Sequence, residues 1–455
     1  MDEQAVRQLV DALPAGVVLT DPASTEAYRR DWTRAEDAGT PLAVVRARTA
    51  DHVRAALRWA SEHRVPVVPR GTGTGLSGGA TAVEGCLVVS TEAMTAVEVD
   101  PVTRTATAEP GALNAAVKAA AAEHGLWYPP DPGSFRISSI GGNVATDAGG
   151  ICCVKYGVTR DYVLGLDVVL PDGRLVGLGG RTIKDVAGLP LLRLFVGSEG
   201  TLGVITRVVL RLVPRQEPAA TLVAWFDSPR DAGTAVVAMG ARTRPSMLEL
   251  LDRAAVNAVE DFRPMGLDRT AGALLIAQSD APGPARAADL EFMAGCATAA
   301  GAREVHATDD PVEGEAFLEA RRATGPALDA RGPQLAEDVC VPVDRLPDVL
   351  ERIQVIAGEF AVEIPVFAHA GDGNLHPVVL YRSEDPGSVQ RARDAFTDVM
   401  RAAIAAGGTI TGEHGVGRAK RAVLPEQLGP DVLELTRRIR SAVDPLGIMN
   451  PGAIC

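Results

Sequence analysis

The chain has 455 residues, enough for two or three domains of about 150 residues each, and its 46 % hydrophobic and 23 % charged residues suit a protein that buries a large core. A formal net charge of −13 and only 4 % aromatic residues argue against nucleic acid or an anionic membrane as partner, because both select basic surfaces. A small anionic substrate then needs a local basic site that works against the field of the whole molecule. The six cysteines, Cys86, Cys152, Cys153, Cys296, Cys340 and Cys455, contain no Cys-x-x-Cys pair. That speaks against an iron–sulfur cluster or zinc ribbon within the chain and for reduced thiols in a cytoplasmic protein. The acidic start Met1-Asp2-Glu3 lacks the features of a signal peptide, and no run reaches the ~18 apolar residues of a membrane span.

In chain order, Leu42–Val45 reads as a strand. Thr49 follows as a helix N-cap with Asp51 in the first turn, and Val53, Ala56, Leu57 and Ala60 share one helical face. Val65–Pro69 is the next strand, so this unit builds parallel sheet. A strand over Val163–Leu170, the turn Pro171-Asp172-Gly173 and a strand over Gly203–Leu212 come next. Pro214 and Pro218 bracket a polar segment that ends a first domain, 1–215. Strands at Thr221–Phe226, Gly272–Ala277 and Val362–Phe367 then alternate with helices near 229–241, 284–300 and 344–358, the pattern of a ferredoxin-like cap over 216–420. A helix at 388–406 stops at Gly407-Gly408, and an irregular segment from Asp444 to Gly452 closes the region 421–455.

Arg70-Gly71-Thr72-Gly73-Thr74-Gly75-Leu76-Ser77-Gly78-Gly79 follows a buried strand directly. Glycines let successive backbone N–H groups line an anion-binding concavity. The spacing is not that of a Rossmann fingerprint, no amphipathic helix follows, and no Gly-Lys-Ser/Thr is present; on its own the loop fits a plain glycine turn as well. A second cradle, Pro130-Asp131-Pro132-Gly133-Ser134 with Ile140–Gly150, changes this. Two cradles suit a long ligand with a pyrophosphate and a flat ring system, which describes FAD better than a mononucleotide.

Ala361–His369 and Leu375–Tyr381 read as strands joined by Gly371-Asp372-Gly373-Asn374. A two-residue Asp-Gly turn would set His369 directly opposite His376, with Cβ atoms ~5 Å apart, a separation at which two imidazoles can share a metal. Two unrelated strand histidines are the alternative. Glu413-His414, within Thr411–Gly417, fits a surface pair or a helix cap equally well, and Arg321-Arg322 fits an exposed basic pair on a helix.

With Lys155-Tyr156-Gly157 and Leu194–Gly203 added, these motifs span roughly 40–455 and resemble the flavin domain of the vanillyl-alcohol oxidase type. Within it, they resemble the D-lactate dehydrogenase and glycolate oxidase flavoprotein branch. The resemblance implies an α+β protein: a two-part FAD-binding domain, a ferredoxin-like substrate cap, and a C-terminal segment returning to the flavin domain. It assigns FAD contacts to Arg70, Gly71, Thr72, Gly73, Thr74, Gly75, Ser77, Gly78, Pro132, Gly133, Ser134, Ser138, Gly141, Gly142 and Asn143. Further contacts fall on Thr146, Gly149, Gly150, Tyr156, Gly157, Glu199, Gly203, Ile205 and Asn450. The FAD is expected to be non-covalent, because relatives that attach it use a His or Cys in the first loop and none lies between Arg70 and Ala80. The resemblance also assigns His369, His376 and Glu413 to a divalent metal, Zn or Mn, His414 to the role of general base, and Arg321 to the substrate carboxylate.

Two departures stand out: Asp147 replaces a common Asn, and Leu189-Pro190 replace an aromatic followed by Asp. Dicarboxylate-using relatives carry a basic residue where Gln334, Leu335 and Ala336 stand, which points to a monocarboxylate such as D-lactate or glycolate. The expected partners are this small 2-hydroxy acid and an electron acceptor, either a protein or a quinone; a homo-oligomer is also expected. One alternative is an FAD-carrying subunit of a multi-subunit glycolate oxidase that passes electrons to an iron–sulfur partner. Another is a D-2-hydroxyglutarate-type dehydrogenase. A flavoenzyme acting on a sugar or aldonolactone is disfavoured by the two-histidine hairpin.

Overall fold

The computed structural model describes residues 3–35 and 37–454, so the thiol expected at Cys455 lies outside the described residues. The other five cysteines are in no disulfide. The chain is α+β and divides into two compact units, the first made of 1–149, 158–215 and 413–455, the second of 150–157 and 216–412. The sequence placed the return to the first domain at 421; in the structure Glu413 already belongs to the first unit. Among the described residues no helix is long and apolar enough to cross a membrane.

In the first unit, strand β1 (Ala43–Arg46) leads through helix α1 (Ala50–His63) to strand β2 (Val67–Arg70). Thr49 caps α1 by accepting the N–H of His52 at 3.3 Å. A strand absent from the sequence reading, β3 (Leu87–Ser90), lies between β1 and β2 and is parallel to both. Val45, Val67, Leu87 and Val89 pack into the core that includes Leu57 of α1, while Val44, Val68 and Val88 form a second core on the opposite face. Both faces are therefore covered, which is why these strands read as unbroken apolar runs rather than alternating ones. Each such side chain contributes about 1.5–3 kcal/mol by leaving water. The C-terminal segment adds to β2: Val67 donates to Ile448 O at 2.8 Å and accepts from Asn450 N at 2.7 Å. A separate five-stranded sheet carries the strands Val163–Val169 and Val204–Arg211 side by side.

The second unit holds an eight-stranded sheet. In chain order its strands are β4 (Ala220–Phe226), β5 (Met247–Asp252), β6 (Ala273–Ser279), β7 (Glu304–Thr308), β8 (Gln334–Ala336), β9 (Val339–Cys340), β10 (Val366–His369) and β11 (Asn374–Leu380). Their spatial order is β7-β4-β6-β5-β10-β11-β8, with β9 also on β11. Helices Pro229–Gly240, Pro284–Ala299 and Leu346–Phe360 occupy the positions expected from periodicity. β5 was not legible, because Met-Leu-Glu-Leu-Leu-Asp puts a charge inside an apolar run; helix α2 (Pro311–Asp329) was legible only around Phe317–Arg322.

The hairpin differs from its expected form. A short helical turn over Ala370–Asp372 and Gly373 make a four-residue loop, in place of a two-residue Asp-Gly turn. Gly373 has φ +80°, and a Cβ there would lie 2.1 Å from Val341 O, so the loop is fixed by its packing against the segment after β9. Pairing is consequently His369↔Asn374, Ala368↔Leu375 and Phe367↔His376, two residues away from the expected register. A shift of two preserves side-chain parity. His369 and His376 therefore still share a face, as diagonal neighbours rather than a direct pair.

Asp252, at the end of β5, is buried and caps the helix Arg253–Phe262 by accepting the N–H of Ala255 at 2.8 Å. Burial raises its pKa to about 7 despite the neutral N–H and amide donors around it. The folded pKa is raised, so the stability that its proton lends is lost as pH climbs through the folded value. Asp252→Asn keeps a capping oxygen and cannot ionise. Its unfolding midpoint should rise relative to wild type as pH goes from about 4 to about 7 and hold a constant lead above, as measured by thermal unfolding across pH.

Candidate active site

In the glycine loop of the first unit the carbonyls face the protein. Gly75 O accepts from Trp32 N, Ser77 O from Arg418 N, Gly78 O from the Arg418 guanidinium and Gly79 O from Asn450 Nδ2. By contrast, none of the backbone N–H groups from Gly71 to Gly79 donates to an acceptor among the described residues. Thr72 Oγ1 is buried and likewise has no hydrogen-bond partner there. A buried hydroxyl is nearly always satisfied, so an orphaned one beside a row of unused, mostly half-buried N–H groups fits a polyanionic ligand such as the pyrophosphate of FAD. Arg70, buried at the start of the loop, donates to Ala80 O at 3.2 Å.

The second cradle is built on the helix Ile140–Thr146. Pro132 O accepts Phe135 N at 2.7 Å, and Ser134 O accepts the N–H groups of Ile137 and Ser138 at 2.8 Å, which closes the turn around Gly133. Asn143 is tied to Ser138 Oγ at 3.2 Å and to Asn114 at 3.0 Å, and Thr146 donates to Gly142 O at 3.2 Å. Gly141 and Gly142 lie in the helix, Gly149 beyond it, and Gly203 and Ile205 at the start of the strand Val204–Arg211. Asp147 pairs with Arg160 at 2.7 Å. Burial pushes its pKa up and Arg160 opposes the shift, so the charge introduced at this position has its own counter-ion. Gly150, Tyr156 and Gly157 belong to the second unit, where Tyr156 and Lys155 both bond to Asp280.

Glu199 and Asn450 act within the first unit as clamps. Both Glu199 oxygens accept backbone N–H groups, from Val416 and Gly417, at 2.8 Å each. Burial pushes its pKa up to about 7, although these bonds pull the other way. Ser77 Oγ donates to His414 O at 2.9 Å. Gly417 has φ +50°, and a Cβ there would stand 2.0 Å from Ser77 O, so this approach requires glycine. The segment carrying Glu413 and His414 is thus fastened to the glycine loop. Glu413 packs on Gly149, and its Oε1 lies 3.8 Å from His414 Nε2. Asn450, fully buried, donates to Gly79 O at 2.8 Å and Glu199 O at 2.7 Å and accepts from Arg418 at 3.1 Å.

The second unit brings His369, His376 and Arg321 together, with two residues that the sequence did not indicate. The β5–β10–β11 register places Glu249 opposite His369, and Leu251, Phe367 and His376 in the next row. His369 Nδ1 lies 2.8 Å from Glu249 Oε1, and Arg321 Nε donates to Glu249 Oε2 at 2.5 Å. The Arg321 guanidinium stacks 4.6 Å over Phe367, whose ring is 4.9 Å from that of His376; the two imidazoles are 5.0 Å apart and nearly perpendicular. These five side chains close a ring. Burial alone would raise the Glu249 pKa, but His369 and Arg321 outweigh it and hold the carboxyl below its usual range. An ionised carboxylate only accepts, so His369 Nδ1 donates to it, and the neutral ring would bind a cation through Nε2. His376 Nδ1 lies 3.9 Å from Asp338 Oδ1. Imidazoles beside a carboxylate are donors of the kind that hold a divalent metal. The geometry of β5 was the only route to Glu249; Phe367 could have been found from its place two residues before His369.

Residues 41–179 match the family described as FAD binding domain, and residues 215–454 the family described as FAD linked oxidases, C-terminal domain. The chain belongs to the FAD-linked oxidase family, and it is an FAD-dependent oxidoreductase. Among its relatives, the glycolate oxidase subunit GlcD of Bacillus subtilis is 40 % identical over 416 residues, covering 90 % of this chain and 88 % of that one. The D-lactate dehydrogenase of Archaeoglobus fulgidus is 36 % identical over 453 residues, 98 % of each chain. The fold is shared with p-cresol methylhydroxylase, at a TM-score of 0.82 and 16 % identity over 99 % of this chain and 96 % of that one. It is also shared with 4-ethylphenol oxidase from Gulosibacter chungangensis, at 0.78 and 17 % over the same shares.

Asn450→Ala would strand two buried carbonyls and part of the Arg418 guanidinium. The loss should be about 2–4 kcal/mol, seen as a lower unfolding midpoint with earlier release of FAD fluorescence on heating. An unchanged midpoint would remove Asn450 from the clamp.

Proposed function

We propose that the protein oxidises a small D-2-hydroxy acid, D-lactate or glycolate, to the 2-oxo acid. His369, His376 and Glu413 hold a divalent metal, Zn or Mn, His414 is the general base, and Arg321 receives the substrate carboxylate. The observation that carries this reading is the His369–Glu249–Arg321 arrangement, which joins a metal-type imidazole to a carboxylate-binding guanidinium. The names of the relatives, a glycolate oxidase subunit and a D-lactate dehydrogenase, support the hydroxy-acid class. Gln334, Leu335 and Ala336 on β8 carry no positive charge for a second carboxylate, which favours a monocarboxylate. Glu413 follows Gly412 in the chain, and Gly412 N–H is held by Asp338 Oδ2 at 3.0 Å. The FAD is non-covalent in this reading, since the first loop has no His or Cys.

When bound, FAD supplies a hydride acceptor at N5 and the divalent cation lowers the pKa of the substrate hydroxyl. Arg321 spends Nε on Glu249; its Nη atoms make no hydrogen bond among the described residues and offer the paired donors that a carboxylate takes. Stacking on Phe367 holds the guanidinium plane. His414 takes the hydroxyl proton onto an imidazole nitrogen. Glu199, through Val416 and Gly417, and Ser77, through His414 O, fix the backbone that carries this ring.

A second reading keeps the chemistry and adds a partner. The Bacillus subtilis relative is named as a subunit, and in this reading the protein is the flavin-carrying subunit of a larger oxidase, with electrons leaving to an iron–sulfur protein. Co-purification of an iron–sulfur protein with the endogenous chain separates the two readings.

Anaerobic addition of D-lactate or glycolate should bleach the flavin spectrum. A chelator should abolish the bleaching with FAD still bound, and Zn²⁺ or Mn²⁺ should restore it. Full reduction in a metal-free sample would end the metal assignment. His414→Ala should keep metal and FAD and slow flavin reduction by ~10²–10⁴-fold, with the deficit shrinking at high pH as alkoxide forms unaided. His376→Ala should lose metal first. Stopped-flow reduction beside metal analysis distinguishes them, and a wild-type rate in His414→Ala would assign the base elsewhere.

A further inference from the structure

We infer that Glu249 is a positioning residue that sets both ends of the substrate site, the metal end and the carboxylate end, with one side chain; the inference rests on the function proposed above. Glu249 is completely buried on β5, and each of its two oxygens has one task. Oε1 takes the proton of His369 Nδ1 at 2.8 Å, and Oε2 takes that of Arg321 Nε at 2.5 Å. A carboxylate is rigid, so the two contacts fix the offset between the His369 ring and the guanidinium. The sheet fixes the rest: Glu249 and His369 are direct cross-strand partners, and Arg321 comes from the buried side of α2.

Neither task can be taken over by a neutral isostere. Glutamine in this place has one accepting oxygen and one donating NH₂ group. If the oxygen faces His369, the NH₂ faces the Arg321 Nε–H, donor against donor. If the amide turns over, His369 loses its Nδ1 acceptor, and the tautomer that presents Nε2 is no longer favoured. Arg321 then also loses the counter-ion that holds its plane over Phe367, from which the Nη atoms are presented. The residue touches neither metal nor substrate; it acts through the two that do.

The test uses the FAD-loaded protein. In Glu249→Gln, the Kd for Mn²⁺, measured by equilibrium dialysis with metal analysis, should rise about 10–100-fold, the usual effect of losing the carboxylate behind a metal-binding imidazole. At saturating Mn²⁺ the KM for the D-2-hydroxy acid should rise about 10-fold and kcat should fall less, because substrate placement is affected and the base is not. Arg321→Met should raise KM while leaving the Mn²⁺ Kd near wild type, showing that the metal effect passes through Glu249 and not through a general loosening. Glu249→Asp retains the charge with a carboxylate one methylene shorter, so it covers the case in which the glutamine variant does not fold; it should weaken both Kd and KM. Wild-type Mn²⁺ affinity in either folded variant, or damage confined to thermal stability, overturns the inference. A wild-type protein that binds no Mn²⁺ in the same dialysis instead overturns the metal reading on which it rests.

Discussion

A carboxylate taken out of water must be met by donors, and in this chain three such carboxylates decide which distant segments meet. Glu199 gathers the backbone of Val416 and Gly417. Glu249 gathers His369 and Arg321. Asp338 gathers Asn374, Thr411 and Gly412, at 2.7, 2.7 and 3.0 Å. In each case the residues brought in are expected site residues or lie within about three positions of one. Desolvation is expensive for an unpaired charge, so these contacts are all-or-none: breaking one leaves a buried acid with too few donors. That makes them suited to holding functional groups in a single arrangement.

The buried carboxylates of this chain are not equivalent, and for Glu199, Asp252 and Glu249 the difference lies in the groups that meet them. Glu199 accepts neutral backbone N–H groups, and burial outweighs them together with the coulombic pull of Lys420 and Arg418: its pKa climbs to about 7. Asp252, surrounded by backbone and amide donors, behaves in the same way. Glu249 is buried just as completely, yet a guanidinium and an imidazole bonded directly to it reverse the sign. Neutral dipoles satisfy hydrogen-bond geometry but only partly replace the solvation of a full charge. Within one molecule, then, the same carboxyl group serves as a neutralisable clamp in one place and as a fixed anion in another.

This also explains what could be read from the sequence. The glycine loop was legible because its chemistry is local: consecutive glycines after a buried strand allow consecutive N–H groups to turn one way, and no distant residue is needed to infer it. The parallel strands β1 and β2 and the helix between them were legible from their apolar runs and the Thr49 cap, whereas β3, inserted between them, is four residues long and follows a turn without periodicity. The hairpin around Gly373 was legible as a hairpin but not in register. The Asp-Gly rule describes an isolated turn, and here the loop is shaped by the approach of Gly373 to Val341, a residue 32 positions earlier in the chain. The shared face of His369 and His376 survived the error only because the shift was even.

Glu249 shows why the rest was hidden. Its two partners lie 72 and 120 residues away, so no window of sequence contains the interaction. As one acid inside an apolar hexapeptide, it looks like a defect in a strand. The fold resolves this: an acid that interrupts a buried strand is tolerated only where cationic or proton-donating groups reach it, and such groups are drawn from the residues that bind anions and metals. The local flaw in the strand pattern and the proposed site are the same feature. A charged residue that spoils an otherwise apolar strand is therefore a pointer to chemistry in its own right, and in this protein it leads from β5 directly to the histidine proposed for the metal and the arginine proposed for the substrate carboxylate.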